Sequence, residues 1–572
     1  MRRLILLSIS QLIILQALGQ NTTLFHPPLK IPLYLSGNFG EIRADHFHSG
    51  IDIKTRGTVG HHVYAIDKGY VSRIKVQANG YGKSIYMAHQ GGYTSVFGHL
   101  DNYRDDIASY VRQVQYERQS HAVDIYPEPD KFKLEKGEFL AYSGNTGGSS
   151  GPHLHFEVRT TADQHPTNVL QYGFDIADNT PPRFRSLYIC PEGADGHING
   201  SGEVFSSSVV PEDGYYTVPY GTGINGSGPL GIGVEVFDYL DGVSNRCGIY
   251  TLKLFVDEEL VYHHEMDEFS FSETRYINAH ILYGELIRSG KKVHRLHRLP
   301  NDRLRMYREI INDGIVEINE ERDYNIRVVA SDVEGHQAEL KFRIRGTHDP
   351  VSSAGPTDNN LIFMRHNGSN SFDNNEVKLT IPPGALYEDL NFRYDESPRV
   401  EGSLSRFYHL HSTETPVHLP YTLSVRADSV DESAREKLLL ITPDSEETGS
   451  FTAAGGEYRD GAVVASLRAF GEFAIGIDTM APVVTPLNGS GKGDLTGRKT
   501  LRFIIEDNLS GIEKYEGYID NRWALFEYDP KNDLLTYTFD STRISRDRLH
   551  ELELYITDAK GNVNLHHTTF TW

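Results

Sequence analysis

The chain has 572 residues, and its 56 Lys+Arg and 78 Asp+Glu give a formal net charge of −22. At roughly 100–200 residues per domain, this length predicts about three to five domains. Hydrophobic residues make up 38% of the chain, which excludes a disordered protein. The acidic balance argues against a nucleic-acid-binding protein, which needs a basic face to displace counterions. The only two cysteines, Cys190 and Cys247, exclude a disulfide framework and a Cys-rich zinc module, and whether they pair with each other stays open.

The N-terminus has the composition of a signal peptide. Arg2 and Arg3 precede a largely apolar run over residues 4–18, and small residues follow at a plausible cleavage site. The run is shorter than the roughly 20 residues of a membrane-spanning helix, and no cysteine follows it as in a lipoprotein. We therefore expect residues 1–20 to be removed from an exported chain with no later transmembrane segment. A periplasmic location is favoured over release from the cell.

The rest of the chain predicts a mainly β protein in four parts. Residues 21–178 read as short strands separated by Gly-rich turns, for example 69–76 and 84–88. Two similar Asp- and Pro-containing breaks, 178–182 and 478–482, each precede alternating apolar residues. We interpret 179–349 and 478–572 as two copies of an Ig-like β-sandwich, the first with a polar insertion over about 274–308. Residues 350–477 form a further β-rich domain.

One helix interrupts the strands of residues 21–178. Apolar residues spaced i, i+3, i+4 and i+7 predict a helix between Asp105 and Gln119, and the acidic residues Asp105 and Asp106 suit its N-terminus. We expect it to be an insertion into a β-domain, over about 104–120. Its predicted buried residues are Ile107, Tyr110, Val111 and Val114.

Three histidine-bearing segments lie within the first 160 residues. The first contains His46, His48, Gly50 and Asp52. In an extended chain, His48 and Asp52 point to one face, and we expect Gly50 to leave that face open for a metal. The second segment contains His99.

The third segment is a Gly-rich turn that leads into a strand. His153 and His155 share one face of this strand, while Leu154 and Phe156 pack on the other. Glu157 follows the same pattern onto the His155 face and is a weaker candidate participant.

Imidazole, carboxylate and imidazole form a suitable ligand set for Zn²⁺ in a hydrolase. Each segment also has a structural interpretation, because a His-x-His pair occurs on surface strands and a His/Asp pair can form a hydrogen-bonded turn. His46 competes with His48 as a ligand. The remaining histidines of this region are interpreted as solvated or structural, and spacing alone does not decide between these alternatives. They are His61, His62 and His89.

Taken together in order, the three segments resemble the motif set of the lysostaphin/LytM-type zinc endopeptidases, which cut peptides of bacterial peptidoglycan. The resemblance covers about residues 33–159 and implies a small antiparallel β-sheet catalytic domain with an open groove. It implies that His48, Asp52 and His155 bind Zn²⁺. It also implies that His99 and His153 flank the attacking water as catalytic residues. The helix over about 104–120 departs from a minimal member of the family, and we expect it to shape or cover one end of the groove.

The resemblance therefore predicts an exported zinc endopeptidase whose partner is a peptidoglycan peptide. Two other functions are open: a non-catalytic regulator of other cell-wall hydrolases, and an adhesion or carbohydrate-binding protein that functions through its β-sandwiches.

The charge of the chain is unevenly distributed. Residues 21–178 carry 15 Lys+Arg and 17 Asp+Glu, a net charge of −2, whereas residues 179–572 carry 39 and 61, a net charge of −22. Because peptidoglycan and its surroundings are often anionic, we do not expect the acidic part to add affinity for the wall. We expect it to set solubility or spacing, or to bind a protein partner.

Overall fold

The computed structural model describes residues 25–347, 361–427, 430–444, 449–488 and 493–572. The predicted signal peptide, residues 1–20, lies outside these ranges. Strands account for 49% of the structure and helices for 8%, which confirms the mainly β fold class. Within the described ranges, every helix is too short or too polar to cross a membrane.

The N-terminal domain is a twisted antiparallel sheet backed by a smaller one. The large sheet has the strand order β1-β2-β11-β6-β5-β4-β8, with β12 beside β11 and β9 beside β4, and the small sheet has the order β3-β10-β7. Its elements are β1 (Leu35–Gly37), β2 (Ile51–Lys54), β3 (His62–Tyr64), β4 (Gly69–Val76), β5 (Lys83–His89), β6 (Tyr93–Gly98), β7 (Leu100–Tyr103), α1 (Asp105–Arg118), β8 (Val123–Ile125), β9 (Lys133–Leu134), β10 (Phe139–Ser143), β11 (His153–Thr160), β12 (Pro166–Thr167) and a 3₁₀ turn (Val169–Tyr172).

The second domain contains thirteen strands that surround a hydrophobic core of its own. The long strand β18 pairs with β25 through its first residues and with β13, β21 and β23 through the rest. Its elements are β13 (Arg183–Pro191), β14 (His197–Ile198), β15 (Phe205–Ser208), β16 (Val210–Glu212), β17 (Tyr215–Thr217), β18 (Asn225–Phe237), β19 (Thr251–Val256), β20 (Glu259–Glu265), α2 (Ile277–His280), α3 (Tyr283–Ser289), β21 (Val293–Arg295), β22 (Tyr307–Ile310), β23 (Val316–Ile318), β24 (Asp323–Ser331), β25 (Gln337–Gly346) and 3₁₀ turns at Thr274–Tyr276 and Asn312–Gly314.

The third domain pairs two five-stranded sheets and a two-stranded ribbon over one core. Its elements are β26 (Ile362–Met364), β27 (Asn370–Asp373), β28 (Val377–Ile381), β29 (Leu390–Phe392), β30 (Tyr394–Ser397), β31 (Phe407–Leu410), β32 (Pro416–Arg426), β33 (Leu438–Pro443), β34 (Phe451–Gly455), β35 (Glu457–Arg459), β36 (Ala462–Ala469), β37 (Gly471–Ile477) and a 3₁₀ turn (Glu432–Lys437).

The C-terminal domain consists of a four-stranded and a five-stranded sheet that enclose a fourth core. The exact boundaries and the Ig-like character of the accessory domains stay predictions. The elements of this domain are β38 (Val483–Pro486), β39 (Gly493–Asp494), β40 (Thr500–Glu506), β41 (Ile512–Ile519), β42 (Arg522–Ala524), β43 (Phe526–Asp529), β44 (Leu534–Thr538), β45 (Leu549–Asp558), β46 (Val563–Thr571) and a 3₁₀ turn (Pro530–Asn532).

The predicted helix is present as α1, and its predicted apolar face packs into the core of the N-terminal domain. Ile107, Val111 and Val114 are buried, and Tyr110 packs against the same core. The opposite side of α1 contacts the C-terminal domain. The ring of Tyr116 packs edge-on against Trp523 at a centroid distance of 5.4 Å. The helix is therefore also a docking surface for a distant part of the chain.

The N-terminal core extends into the second domain. Leu240 and Cys247, both beyond residue 178, belong to the same buried cluster as the strands of the N-terminal domain. Cys190 lies in a different buried cluster, and both cysteines are free thiols in the structure. The pairing that the sequence left open is thus not formed.

Candidate metal centre and active site

The three histidine-bearing segments meet because their strands are neighbours in the large sheet. Strand β11 lies between β2 and β6 and pairs His155 with Asp52 on one side and with Gly98 on the other. Leu154 and Phe156 are fully buried beneath, as the alternation of the strand predicted. His99 follows Gly98 at the turn into β7.

The predicted ligands converge on one point. His48 Nε2 lies 3.1 Å from Asp52 Oδ1 and 3.2 Å from His155 Nδ1, and His155 Nδ1 lies 3.0 Å from the same Asp52 oxygen. Ligand atoms around a tetrahedral Zn²⁺ with bonds of about 2.0–2.1 Å are about 3.3 Å apart. The donor types and their spacing therefore fit a zinc ion.

The second ring nitrogen of each ligand histidine has its own partner, which selects the tautomer. His48 Nδ1 donates to the carbonyl oxygen of Asn38 at 2.8 Å, and His155 Nε2 donates to Glu157 Oε1 at 2.8 Å. The lone pairs of His48 Nε2 and His155 Nδ1 are thereby turned toward the centre. Such outer partners are typical of histidines that bind metals.

His99 and His153 flank this centre in a matched arrangement. His99 Nδ1 donates to the carbonyl oxygen of Thr146 at 2.8 Å, and His153 Nδ1 donates to that of Gly151 at 2.8 Å. Their ring centroids are 4.8 Å apart, and His153 Nε2 lies 3.4 Å from Asp52 Oδ1. The Nε2 atoms are therefore available for proton transfer beside the proposed metal.

The backbone around His99 is shaped for this position. His99 has a φ of 56°, which lies in the left-handed region. Non-glycine residues rarely adopt this conformation, and those that do are concentrated at functional sites. The Gly-rich loop that supplies the Thr146 carbonyl packs closely on the 80–82 turn. A Cβ atom on Gly147 would lie 2.3 Å from the backbone nitrogen of Gly82.

The electrostatic field at the centre is suited to a cation. Burial alone raises the pKa of Asp52, but the adjacent imidazoles of His48, His153 and His155 hold that pKa well below its usual value. Burial lowers the pKa of His155, yet hydrogen bonds to Asp52 and Glu157 raise it to about 9. Positive charge is therefore favoured among these side chains.

His99 has the opposite behaviour. Burial, together with His155 and His153, lowers its pKa to about 3. At neutral pH its imidazole is therefore uncharged, and the lone pair of Nε2 can accept a hydrogen bond from a water molecule.

Glu157 is the residue that sequence reasoning undervalued. It is fully buried and receives hydrogen bonds from Ser49 Oγ at 2.7 Å and Tyr81 OH at 2.5 Å, in addition to His155 Nε2. Arg159 donates a further hydrogen bond through Nε and neutralises its charge. The signal was present in the alternation of His153, His155 and Glu157, but only the structure shows that the carboxylate orients the predicted ligand His155.

Gly50 has a role different from the expected one. A Cβ atom at this position would lie 2.3 Å from the carbonyl oxygen of Phe156 and 2.7 Å from Glu157 Cγ. The glycine therefore allows β2 and β11 to approach each other closely. The expectation that it leaves a face open for the metal was wrong, because the space beside it is filled by β11.

Other histidines of the region lie away from the centre. The side chain of His46 is 53% exposed and pairs with Asp45, so the structure places His48 and not His46 in the cluster. His89 is buried and hydrogen-bonds Ser95 Oγ at 2.7 Å. His61 contacts the 55–58 turn, whereas His62 is exposed on β3.

The second domain supports both ends of the first motif. The backbone carbonyl of Asn38 accepts from His48, and the Asn38 side chain bonds both the N–H and the C=O of Gly248, at 2.7 and 2.8 Å. In addition, a chain of ion pairs runs from the second domain to Asp52. Lys292 Nζ lies 3.0 Å from Glu41, and Glu41 lies 3.3 Å from Arg43. Arg43 Nη2 in turn donates to Asp52 Oδ2 at 3.1 Å. The predicted ligands are thus oriented partly by an accessory domain.

We predict that Glu157→Gln weakens zinc binding at the His48, Asp52 and His155 site by about 10- to 100-fold. The substitution removes the charge that orients His155 and leaves Arg159 unpaired in the interior. Competition with a chelator of known affinity measures the effect. Glu135→Gln is the matched control, because Glu135 is 71% exposed and pairs with Lys68 at the surface. Equal affinities of the two variants would contradict a positioning role for Glu157.

Comparison with known proteins identifies the class of this domain. Residues 46–116 match the model of peptidase family M23, and residues 362–478 match that of a Zu5-like domain. The N-terminal domain is of the lysostaphin/LytM type, as its match to peptidase family M23 over residues 46–116 supports. The family supports a peptidase function.

Three similar proteins each match a quarter of this chain or less. A protein of Haemophilus influenzae described as an uncharacterized metalloprotease is 33% identical over 110 residues, which are 19% of this chain and 18% of the relative. A zinc containing peptidase from Vibrio cholerae is 23% identical, with 25% of this chain and 37% of that one covered and a TM-score of 0.19. The catalytic domain of lysostaphin from Staphylococcus simulans is 20% identical, with 25% and 92% covered and a TM-score of 0.18.

Proposed function

We propose that the chain is an exported zinc metalloendopeptidase that hydrolyses peptide bonds in the stem or cross-bridge peptides of bacterial peptidoglycan. The observation that carries the proposal is the convergence of His48, Asp52 and His155 with His99 and His153 on neighbouring strands. The M23 match and the similarity to lysostaphin, named an antimicrobial peptidase, support it.

His48, Asp52 and His155 would hold the zinc ion, through Nε2, a carboxylate oxygen and Nδ1. A zinc ion bound there supplies a water of lowered pKa and a Lewis acid that polarises the scissile carbonyl. Glu157 and Asn38 keep the two imidazoles in the required tautomers. This division leaves Asp52 as a ligand and not as the general base.

His99 and His153 perform the proton transfers in this proposal. Each ring is held by a backbone carbonyl at Nδ1, which leaves its Nε2 as a proton acceptor. One of the two Nε2 atoms accepts the proton of the attacking water and later delivers it to the leaving amine. The ring that carries this proton also stabilises the oxyanion of the tetrahedral intermediate. The two histidines thus act on the reaction without binding the metal.

Digestion of purified sacculi by the full mature chain, followed by mass spectrometry of the released peptides, tests the proposal and reports which bond is cut. We expect soluble muropeptide fragments from the wild type and none from Asp52→Ala. Failure of zinc-loaded protein to release peptides would overturn the proposal. If such inactive protein stimulated another wall hydrolase, the non-catalytic regulator would replace it.

The acidic accessory domains are proposed to serve a protein partner or spacing and not wall affinity. Residues 179–572 carry a net charge of −22, whereas residues 21–178 carry −2. We expect binding of the full chain to anionic sacculi to stay constant or rise when salt increases from low to physiological concentration. A steep fall of binding with salt would contradict this view.

The C-terminal domain reaches the loop that orients His99. Lys531 Nζ donates to the carbonyl oxygens of Asn145 and Gly147, on either side of Thr146, whose carbonyl holds His99. We predict that Lys531→Ala lowers kcat by about 2- to 10-fold and leaves the zinc content unchanged. This factor corresponds to the net free energy of one or two hydrogen bonds. Lys499→Ala, an exposed lysine of the same domain, is the control. Equal kcat values for both variants would exclude this long-range support.

A further inference from the structure

A second cluster of histidines lies in the second domain, outside the M23 motifs. His264 is on β20, His280 ends α2, and His294 is on β21. Their exposed fractions are 1%, 0% and 7%. We call these three residues the tri-histidine cluster. His264 and His280 are 16 positions apart in the chain, and His280 and His294 are 14 positions apart. This spacing matches none of the motifs identified in the sequence.

The spacing of the tri-histidine cluster is that of a ligand set. One nitrogen of each ring lies within 4.8 Å of the others, so a point exists about 2.8 Å or less from all three, and small ring rotations bring this to the 2.0–2.1 Å of a Zn–N bond. His280 Nε2 and His294 Nδ1 are 3.0 Å apart. The corresponding nitrogens of His48 and His155 are 3.2 Å apart.

Outer partners select the ring nitrogens of two of the three histidines, as they do at the first site. Tyr307 OH donates to Asp302 Oδ2 at 2.5 Å and lies 3.5 Å from His280 Nδ1, which leaves His280 Nε2 turned toward the cluster. Tyr262 OH lies 2.9 Å from His264 Nδ1. A histidine that binds metal through one nitrogen commonly has such a partner on the other.

The three imidazole rings are in the neutral form that binds a metal. Burial lowers the pKa of His264 and His280 well below the usual value and that of His294 to about 4. Neutral imidazoles offer lone pairs at physiological pH. Three imidazoles in one buried place suit Zn²⁺ and other late first-row transition metals better than Ca²⁺ or Mg²⁺.

We infer that the tri-histidine cluster is a second transition-metal site that binds one Zn²⁺ through three imidazoles, with the fourth position left to water. Its ligands come from β20 and from the segment predicted as a polar insertion, about 274–308. A metal ion bound there would crosslink this segment to strand β20 of the second domain. Such a site contributes to folding in the way of a structural zinc site.

The crosslinked segment supports the candidate active site. The ring of Phe47, directly before His48, lies 6.0 Å from the ring of His280, and the Phe47 N–H donates to Thr274 Oγ1 at 2.9 Å. Phe47 also shares a buried cluster with Ile277, the first residue of α2, and with Ile281, which directly follows α2. The second metal site thus lies one side chain away from the first motif, on the side of the accessory domain.

Metal content of the full mature chain, measured after purification and zinc loading followed by gel filtration, tests the inference. We expect about two zinc ions per chain in the wild type, one in His155→Ala, one in His280→Asn and none in the double variant. His263→Asn is the matched control, since His263 is the neighbour of His264 on β20 with its side chain on the opposite face. It should retain two zinc ions.

Cobalt substitution distinguishes the two sites without an activity assay. In His155→Ala, we expect one Co²⁺ with the visible absorption of a four-coordinate site and a fall in the unfolding temperature when a chelator removes it. Absence of bound metal from folded His155→Ala would overturn the inference, as would unchanged zinc content in folded His280→Asn. If His280→Asn fails to fold, the His155→Ala measurements decide alone. They are also independent of whether the protein cuts peptidoglycan.

Discussion

His155→Ala is expected to remove one zinc ion per chain and to lower hydrolysis of cell-wall peptides by about 10³-fold or more. The variant loses Nδ1, which lies 3.0 Å from Asp52 Oδ1 and 3.2 Å from His48 Nε2, and so leaves only two protein ligands. Elemental analysis and release of peptides from sacculi measure the two effects together. We expect Asp52→Ala to behave in the same way.

His46→Ala is the control for the ligand variants. His46 stands two residues before His48, has the same side chain and is exposed at the surface. It should retain the zinc content and activity of the wild type. If His46→Ala lost a zinc ion while His48→Ala did not, the ligand assignment would be wrong.

The second large effect is expected from His99→Ala and His153→Ala. Each should lower kcat by about 10²- to 10⁴-fold, the usual contribution of a positioned proton-transfer group, while zinc content is unchanged. Retention of metal separates these variants from the ligand variants. His62→Ala, an exposed histidine of the same domain, serves as the control.

The double variant shows whether the two histidines act on the same step. If His99 and His153 share the transfer of one proton, the double variant should be little slower than the slower single variant. Multiplicative losses would indicate separate roles, one as base and one as oxyanion donor. A variant of either residue with the kcat of the wild type would contradict its proposed role.

Much of the candidate site could be predicted because its motifs are local. The alternation of His153, Leu154, His155 and Phe156 predicted which side chains face the groove and which face the core, and the structure has this arrangement. The helix α1 was predicted for the same reason, since its period is contained in fourteen residues. Such patterns depend on backbone geometry alone.

The features that were missed all depend on contacts between distant parts of the chain. Gly50 was misinterpreted because its neighbour is the backbone of Phe156, more than one hundred residues away in the chain. Glu157 acquired its role from Ser49, Tyr81 and Arg159, which come from three places in the sequence.

The sequence by itself determined the class of this protein and its candidate reactive groups, because His48, Asp52, His99, His153 and His155 lie in short motifs. Only the tertiary structure decided how these groups are oriented. Three of these features join residues that are 14 to 386 positions apart in the chain. They are the hydrogen bonds between Gly248 and Asn38, the contact of Lys531 with the Asn145–Gly147 loop, and the tri-histidine cluster. The physical reason is that hydrogen bonds and metal ligation act over about 2–3 Å in space, whatever the separation along the chain.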